Sequence, residues 1–360
     1  MNRKIKTYKG EWYTVNSIFG NDWARFFYLL GGREAGKSYS VMRWAVNRKI
    51  KKGEHFKFYW MRLTDSSADK LLASNGKDLI DPDLKRKYNV NLIRKGDTLY
   101  SYDEVVRINK NGKEVVEKKN MKEFCRVLSL STFYNNKGQA LYDNEFLRNP
   151  ENEIFIVLDE MNREQSEKKS FDIVYNFVNQ IENVIRSEKQ NVRIVMIGNT
   201  LEEASDLLSA INFIPDTFGR YKLKSKHAVV DYIKPNEEYL RRRKDTVADI
   251  FTPNASTFTN EIQIDRTLLV NKRKAIRPIR IIKFNKTKDT WFTVYNNEIV
   301  KPYNNETLTN IIAMRRYLDT QYYSDLAKLV IEQFDMRGFL FVSISTFKQF
   351  QKQLQLIKSK

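Results

Sequence analysis

The segment that most constrains the fold of this chain runs from Gly31 to Ser38. It matches the pattern G-x-x-x-x-G-K-[ST] with the residues Gly31, Gly32, Arg33, Glu34, Ala35, Gly36, Lys37 and Ser38. The apolar run 26–30 before it predicts a β-strand, and residues 37–51 after it predict a helix. A glycine-rich turn in this context points backbone N–H groups at a phosphate. The segment therefore predicts a loop that binds the phosphates of ATP.

Two side chains of this loop have predicted chemical roles. Lys37 would reach the β- and γ-phosphate oxygens, and Ser38 would ligate Mg²⁺. The alternative is a glycine-rich turn before a helix, followed by an ordinary solvated lysine. The strand–turn–helix context favours a P-loop NTPase that uses ATP and Mg²⁺.

A pair of acidic residues follows a second apolar run. Residues 154–158 form a continuous β-branched and aromatic stretch, which is typical of a strand buried on both faces of a parallel sheet. Asp159 and Glu160 come next, and we expect Asp159 to hold Mg²⁺ through water and Glu160 to polarise the attacking water. Alone, such a pair also fits a strand end that meets solvent. Together with Lys37 it indicates hydrolysis by an ATPase of the additional-strand (ASCE) class.

Two further polar residues are candidates with open alternatives. Asn199 follows the predicted strand 192–197, at the position where such ATPases keep a polar residue that senses the γ-phosphate. An Asx-turn that closes the strand is the alternative interpretation. Arg186 ends an amphipathic helix and could act as an arginine finger on the nucleotide of a neighbouring subunit. Lys189 and Arg193 are rivals for that role, and a solvated cation at a helix end is an equally good interpretation.

Strands that alternate with helices over residues 1–234 predict a doubly wound α/β ATPase domain. A polar hairpin is expected over 97–118, around the turn Asn111-Gly112, and a separate strand follows it over 123–130. Residues 235–262 are predicted to be a linker, which holds the basic run Arg241–Lys244, and residues 263–360 a small α+β domain. The basic hairpin and the 241–244 run could each bind the phosphate groups of a nucleic acid. For each of them taken alone, a solvated charged face is the better interpretation.

The charge balance favours a polyanionic partner. The chain has 63 Lys and Arg residues against 44 Asp and Glu, a formal charge of +19. Of these charges, 18 basic and 8 acidic residues lie in 263–360, which leaves +10 there. A single cysteine and two histidines exclude a disulfide framework and a cysteine-based zinc site. The apolar runs are far shorter than the ~20 residues that span a bilayer, so we expect a cytosolic protein without membrane contact.

An ordered set of motifs resembles a known family. The set comprises Gly-Gly-Arg-x-x-Gly-Lys-Ser at 31–38, Lys51-Lys52-Gly53-Glu54 before an aromatic strand ending at Arg62, Val157-Leu158-Asp159-Glu160 followed by Arg163-Glu164, Asn183-Val184-Ile185-Arg186, Val192-Arg193 leading to Gly198-Asn199, and Phe213-Ile214-Pro215-Asp216. The loop looks like that of phage terminase large subunits. The whole set resembles the DNA-packaging ATPases of phi29-like podoviruses, in detail over 25–235 and more loosely over 280–350.

The resemblance implies a homopentameric ring that drives double-stranded DNA into a procapsid by ATP hydrolysis. The ring would work in the host cytoplasm, at the procapsid portal vertex, with a structural packaging RNA between ring and portal. Lys37 and Ser38 would take the phosphate and Mg²⁺ roles, Asp159 and Glu160 the acidic roles, and Arg186 the role of the trans-acting finger. The sequence around Arg186 departs from the family pattern, so Arg193 stays an alternative for that finger.

The resemblance also implies an RNase H-like C-terminal domain that has lost its nuclease. The first predicted strand of that domain contains residues 281–285. Lys283 and Asn285 occupy the positions where an active nuclease requires a metal-binding carboxylate. We therefore expect nucleic-acid contact without cleavage. Competing hypotheses are another DNA-remodelling ring ATPase or helicase, and a nucleotide-binding structural protein of the virion without turnover.

Overall fold

The structure of the chain is a computed structural model. It describes residues 12–108, 114–131, 144–162, 172–185, 191–199, 206–211, 213–215, 217–251, 278–283, 291–295, 299–302, 340–341, 347–348 and 350–351. The chain divides into two compact units. One unit contains 1–201, 205–207 and 217–261, and the other contains 202–204, 208–216 and 262–360.

The strands of the first unit are β1 (Phe26–Leu30), β2 (Phe56–Arg62), β3 (Asn91–Lys95), β4 (Thr98–Ile108), β5 (Glu114–Ser129), β6 (Glu153–Asp159), β7 (Asn191–Gly198), β8 (Gly219–Leu223) and β9 (Ala228–Tyr232). The α-helices between residues 16 and 251, of which α7 begins in the first unit and ends in the second, are α1 (Asn16–Phe19), α2 (Lys37–Val46), α3 (Asp65–Gly76), α4 (Pro82–Tyr88), α5 (Asn144–Leu147), α6 (Ile173–Ile185), α7 (Asp206–Ala210), α8 (Glu237–Arg243) and α9 (Val247–Phe251). A π-helical turn, Asn47–Lys51, continues α2. The last helical residues of the second unit lie among 347–351.

The first unit is built on one nine-stranded sheet with the order β3-β4-β5-β2-β6-β7-β1-β9-β8. The six strands from β5 to β9 in this order are parallel, and the strands at both ends join antiparallel. Strand β7 separates β1, which precedes the glycine-rich loop, from β6, which carries the acidic pair. This insertion is the additional strand of the ASCE class. The predicted α/β fold with a parallel sheet is therefore confirmed.

The central strands are covered on both faces. Consecutive residues of a strand point to opposite faces, and every residue of β6 from Ile154 to Asp159 is buried. An aromatic cluster fills part of the space beside the sheet, where the rings of Phe58 and Phe155 lie 5.3 Å apart and those of Phe19 and Trp44 lie 4.9 Å apart. Burial of these apolar side chains fixes the positions of the strand ends, where the site is built.

The polar hairpin is longer than predicted. The sequence predicted a hairpin over 97–118 and a separate strand over 123–130, whereas β5 runs without interruption from Glu114 to Ser129 and pairs with β4 over its first part. Its second part joins the parallel sheet beside β2. One strand thus serves both structures, with register shifts between Leu99 and Tyr100 and between Ser101 and Asp103. The predicted Asn111-Gly112 turn lies outside the described residues.

The second unit contains a four-stranded sheet. Its strands are β10 (Pro278–Lys283), β11 (Trp291–Tyr295), β12 (Ile299–Pro302) and β13 (Leu340–Phe341), in that order. The first three pair antiparallel, and β13 joins β12 in parallel. The RNase H-like fold and the boundaries 1–234, 235–262 and 263–360 stay predictions. Asn285 lies outside the described residues, and part of the stretch predicted to be a linker forms α8 and α9.

The described helices are too short and too polar to cross a membrane.

Candidate nucleotide site

The glycine-rich loop has the backbone geometry that a phosphate cradle requires. Gly36 has a φ of +89° and caps the N-terminus of α2, which begins at Lys37. A Cβ at Gly36 would lie 3.2 Å from the Trp12 ring and would require a conformation that side chains disfavour. Glu34 also has a positive φ, of 60°. The loop therefore turns sharply twice and directs the N-terminus of α2, with its positive potential, toward the space above the sheet.

Lys37 is buried and its ammonium group is held by the loop itself. The Nζ atom donates to the backbone oxygens of Gly31 and Gly32, at 2.8 Å each, and to Oδ1 of Asn199 at 3.4 Å. Burial lowers the pKa of Lys37 to about 7, a shift that nearby Asp159 opposes and Arg33 increases. The structure thus brings together Lys37 and Asn199, which are 162 residues apart in the sequence.

The lowered pKa of Lys37 predicts proton uptake when ATP binds. At pH 8 the buried amine is mostly neutral without nucleotide, because this pH lies above its pKa. Triphosphate oxygens favour the ammonium form, so binding should take up close to one proton at pH 8 and much less at pH 6. Titration calorimetry in buffers of different ionisation enthalpy measures this number. Equal uptake at both pH values would contradict the assignment.

Ser38 and Asp159 form the predicted metal-facing pair. Ser38 Oγ donates to Asp159 Oδ1 at 3.0 Å, although the two residues come from different elements, α2 and β6. Burial raises the pKa of Asp159, while Arg62, Ser38 and Lys37 favour its charged form. Hydroxyl and carboxylate oxygens are ligands that suit Mg²⁺, which is usually bound by one or two protein groups together with substrate phosphates. The donor set fits Mg²⁺ held in that way.

Arg62 is a site residue whose role the sequence did not reveal. It ends β2, and its guanidinium forms ion pairs with Asp159 Oδ2, at 3.0 Å, and with the carboxylate of Glu160. The Glu160 side chain is 55% exposed, and its backbone φ is +58°. The available signal was positional: β2 lies next to β6, so both strands end at the same edge of the sheet.

Of the three residues considered for the arginine finger, the structure describes only Arg193. Arg186 and Lys189 lie outside the described residues; α6 ends at Ile185, directly before Arg186. Arg193 lies near the amino end of β7, at the opposite edge of the sheet from the loop. There its guanidinium donates to the Phe19 backbone oxygen at 2.9 Å and lies 3.4 Å from a Glu153 carboxylate oxygen.

Helix α8 contacts the glycine-rich loop from the side. The Tyr239 hydroxyl donates to the Arg33 backbone oxygen at 2.9 Å, and Arg242 donates to the Glu34 backbone oxygen at 2.7 Å. Arg243 forms an ion pair with the Glu34 side chain. Two cations of the 241–244 run therefore contact the glycine-rich loop.

Known proteins resemble this chain in structure but not in sequence. No protein-family model matches it, and no curated protein matches it in sequence. The solved bacteriophage Phi-29 viral genome packaging motor assembly is similar, with a TM-score of 0.60, 17% identity, and coverage of 96% of this chain and 99% of that chain. The Phi-28 gp11 DNA packaging motor is similar, with a TM-score of 0.56, 14% identity, and coverage of 96% and 97%. The resemblance that the motifs indicated is thereby confirmed for the fold: over nearly its whole length, this chain has the fold of the phage DNA-packaging motor ATPases.

Proposed function

We propose that this chain is an ATP-driven motor that moves double-stranded DNA into a viral procapsid. The observation that carries the proposal is the convergence of Lys37, Ser38, Asp159 and Glu160 at one sheet edge, with Ser38 Oγ 3.0 Å from Asp159 Oδ1. This constellation belongs to ATP hydrolysis, and it lies in a chain whose fold is that of packaging motors. The net charge of +19 favours binding to DNA, which is a polyanion.

Each residue has a defined part in the hydrolysis. The loop amides and the Lys37 ammonium bind the β- and γ-phosphates, which replace the Gly31 and Gly32 oxygens as partners of Nζ. Ser38 directly and Asp159 through water would hold Mg²⁺, which would offset the charge on the phosphates. Glu160 accepts a proton from the attacking water, whose oxygen bonds to the γ-phosphorus as the bond to ADP breaks. Asn199 senses the γ-phosphate, a role supported by the hydrogen bond that its Oδ1 accepts from Lys37.

Arg62 is a positioning residue for the acidic pair. The carboxylate of Glu160 is engaged by the Arg62 guanidinium, so Glu160 must turn away from Arg62 before its oxygen can accept a proton from water. The half-exposed side chain of Glu160 leaves it free to move.

Several features of the assembly follow from the resemblance. We propose a homopentameric ring at the procapsid portal vertex in the host cytoplasm, with a structural packaging RNA as a further partner. Arg186 acts in trans on the nucleotide of the neighbouring subunit, a role supported by the ion pair that holds Arg193 to Glu153 at the far edge of the sheet. The C-terminal domain contacts nucleic acid and cuts nothing, since Lys283 and Asn285 replace the acid that a nuclease needs.

The Glu160→Gln variant tests the proposal directly. It should still bind ATP, because the phosphate and Mg²⁺ contacts remain, but hydrolysis should fall by ~10²–10⁴-fold through loss of the general base. Turnover is measured with DNA, with and without procapsids, and packaging as DNA protected from added nuclease. A variant that cannot bind ATP would show that Glu160 has a different role.

The same assay separates the competing functions. Wild-type protein should protect DNA only when procapsids and ATP are both present. DNA-stimulated hydrolysis that is indifferent to procapsids, without protection, would instead identify a helicase or another DNA-remodelling ATPase. Absence of turnover under every condition would identify a nucleotide-binding structural protein.

A further inference from the structure

An exposed tryptophan lies against the outside of the glycine-rich loop. A Cβ placed on Gly36 would meet the ring of Trp12 at 3.2 Å, so the ring packs directly on the loop, one residue before Lys37. Trp12 is nonetheless 45% exposed. A large aromatic ring that contacts the phosphate loop and is also open to solvent is accessible to a ligand of that loop.

The backbone that follows this tryptophan is held from three sides. The backbone N–H of Tyr13 donates to the Ala35 oxygen of the loop at 2.9 Å, and the Tyr13 hydroxyl donates to Asp231 Oδ2 of β9 at 2.7 Å. The backbone N–H of Val15 donates to Ser40 Oγ of α2 at 2.9 Å. These bonds fix the position of the ring before a ligand arrives, which lowers the entropic cost of binding.

One face of the Trp12 ring is covered by a cation. The guanidinium carbon of Arg242, on α8, lies 3.8 Å from the centre of the ring, within the range of a cation–π interaction. The same guanidinium donates to the Glu34 backbone oxygen, so it joins the ring to the loop. Because Arg242 covers a single face, the exposed area of Trp12 belongs to the rest of the side chain, where a flat ligand can pack.

The order of strands indicates which end of a nucleotide would face Trp12. The residues proposed to act on the γ-phosphate, Asp159, Glu160 and Asn199, lie at or just after the ends of β6 and β7, which are on one side of β1 in the sheet. The segment of Trp12 is bonded to β9, on the other side of β1, and α8 follows β9 in the chain. A triphosphate whose γ-phosphate points toward the acidic pair therefore directs its nucleoside toward Trp12 and α8.

A flat ring that is supported by a cation fits a nucleobase. Bases of every kind stack on aromatic side chains, and a purine has the larger stacking surface. We infer that Trp12 is the stacking surface for the purine base of the bound nucleotide, and that it gives the site a preference for purine over pyrimidine nucleotides. This inference rests on the proposed function, in which the loop binds ATP.

Nucleotide binding by the full-length chain tests the inference. Dissociation constants are measured by calorimetry for ATP, for CTP and for inorganic tripolyphosphate, which has the phosphates without a base. The wild type should bind ATP more tightly than CTP. Trp12→Leu keeps an apolar side chain against Gly36 but removes the ring, so it should weaken ATP binding by ~10-fold and leave tripolyphosphate binding nearly unchanged. The ratio of the CTP and ATP dissociation constants should fall toward one.

Two variants provide matched controls. Trp12→Phe keeps a smaller ring at the same position and should retain most of the affinity for ATP. Trp23→Leu makes the same replacement at a partly buried tryptophan that precedes β1, whereas the loop follows β1. It should change none of the three dissociation constants.

The tripolyphosphate measurement separates stacking from support of the loop. An equal loss of affinity for ATP and tripolyphosphate in Trp12→Leu would show that the ring only supports the loop, and would overturn the inference. Unchanged ATP affinity in that variant would overturn it too, as expected if another segment or a neighbouring subunit covers the ring. In both cases ATP binding by the wild type leaves the proposed function intact. A wild type that binds neither ATP nor tripolyphosphate would contradict the proposed function and the inference together.

Discussion

Lys37→Ala should abolish ATP turnover, with a loss of at least ~10²–10³-fold, because it removes the cation that faces the β- and γ-phosphates. Nucleotide affinity should fall as well, since the ammonium group contacts the phosphates in the ground state. Lys49→Ala is a matched control: Lys49 is a second lysine with a pKa lowered by burial, to about 8, and it donates to the backbone oxygens of Glu123 and Phe124 at 3.2 and 2.9 Å. Both variants remove a buried amine, but only Lys37 lies in the loop.

Purified protein and a coupled phosphate-release assay measure the effect. The control variant should lose stability and keep its affinity for ATP, because Lys49 lies in the π-helical turn that follows α2 and contacts β5, away from the loop. Turnover by Lys37→Ala close to that of the wild type would contradict the P-loop assignment and, with it, the proposed motor.

Arg186→Ala should lower turnover by ~10³-fold or more while leaving ATP affinity nearly intact. The reason is that an arginine finger stabilises charge that develops on the γ-phosphoryl group only in the transition state. Since the finger acts on the neighbour's nucleotide, rings mixed from two inactive variants should regain activity. Lys37→Ala subunits, which still carry Arg186, should restore hydrolysis to Arg186→Ala subunits.

Arg193 provides the comparison for this experiment. Its guanidinium is held by Glu153 and the Phe19 oxygen and lies 5.2 Å from the centre of the Trp44 ring. Arg193→Ala should therefore lower the melting temperature, and mixing should not rescue any loss of turnover. Rescue of Arg193→Ala, without rescue of Arg186→Ala, would move the finger to Arg193.

Those parts of the fold that depend on local sequence could be predicted from it. Strand β1 has the predicted bounds Phe26–Leu30, and β6 and β7 each differ by one residue per end from the predicted 154–158 and 192–197. These strands are buried on both faces, so their apolar runs are continuous and stop where the chain leaves the core. The glycine-rich loop is equally local, because its glycines, Lys37 and Ser38 lie within eight residues.

Only the tertiary structure decided which strand ends lie side by side. In the sheet, β7 lies between β1 and β6, and β2 lies beyond β6, an order that differs from the order in the chain. Arg62 reaches Asp159 and Glu160 for this reason alone, across 97 residues of sequence to the nearer of the two. The same holds for α8. The sequence favoured a solvated charged face for the 241–244 run, whereas in the structure Arg242 and Arg243 contact Glu34 of the loop. The pattern of apolar residues in a segment indicates which of its faces are buried. The order of strands in a parallel sheet depends instead on packing between segments that are distant in the sequence, and this packing leaves no local pattern in either segment.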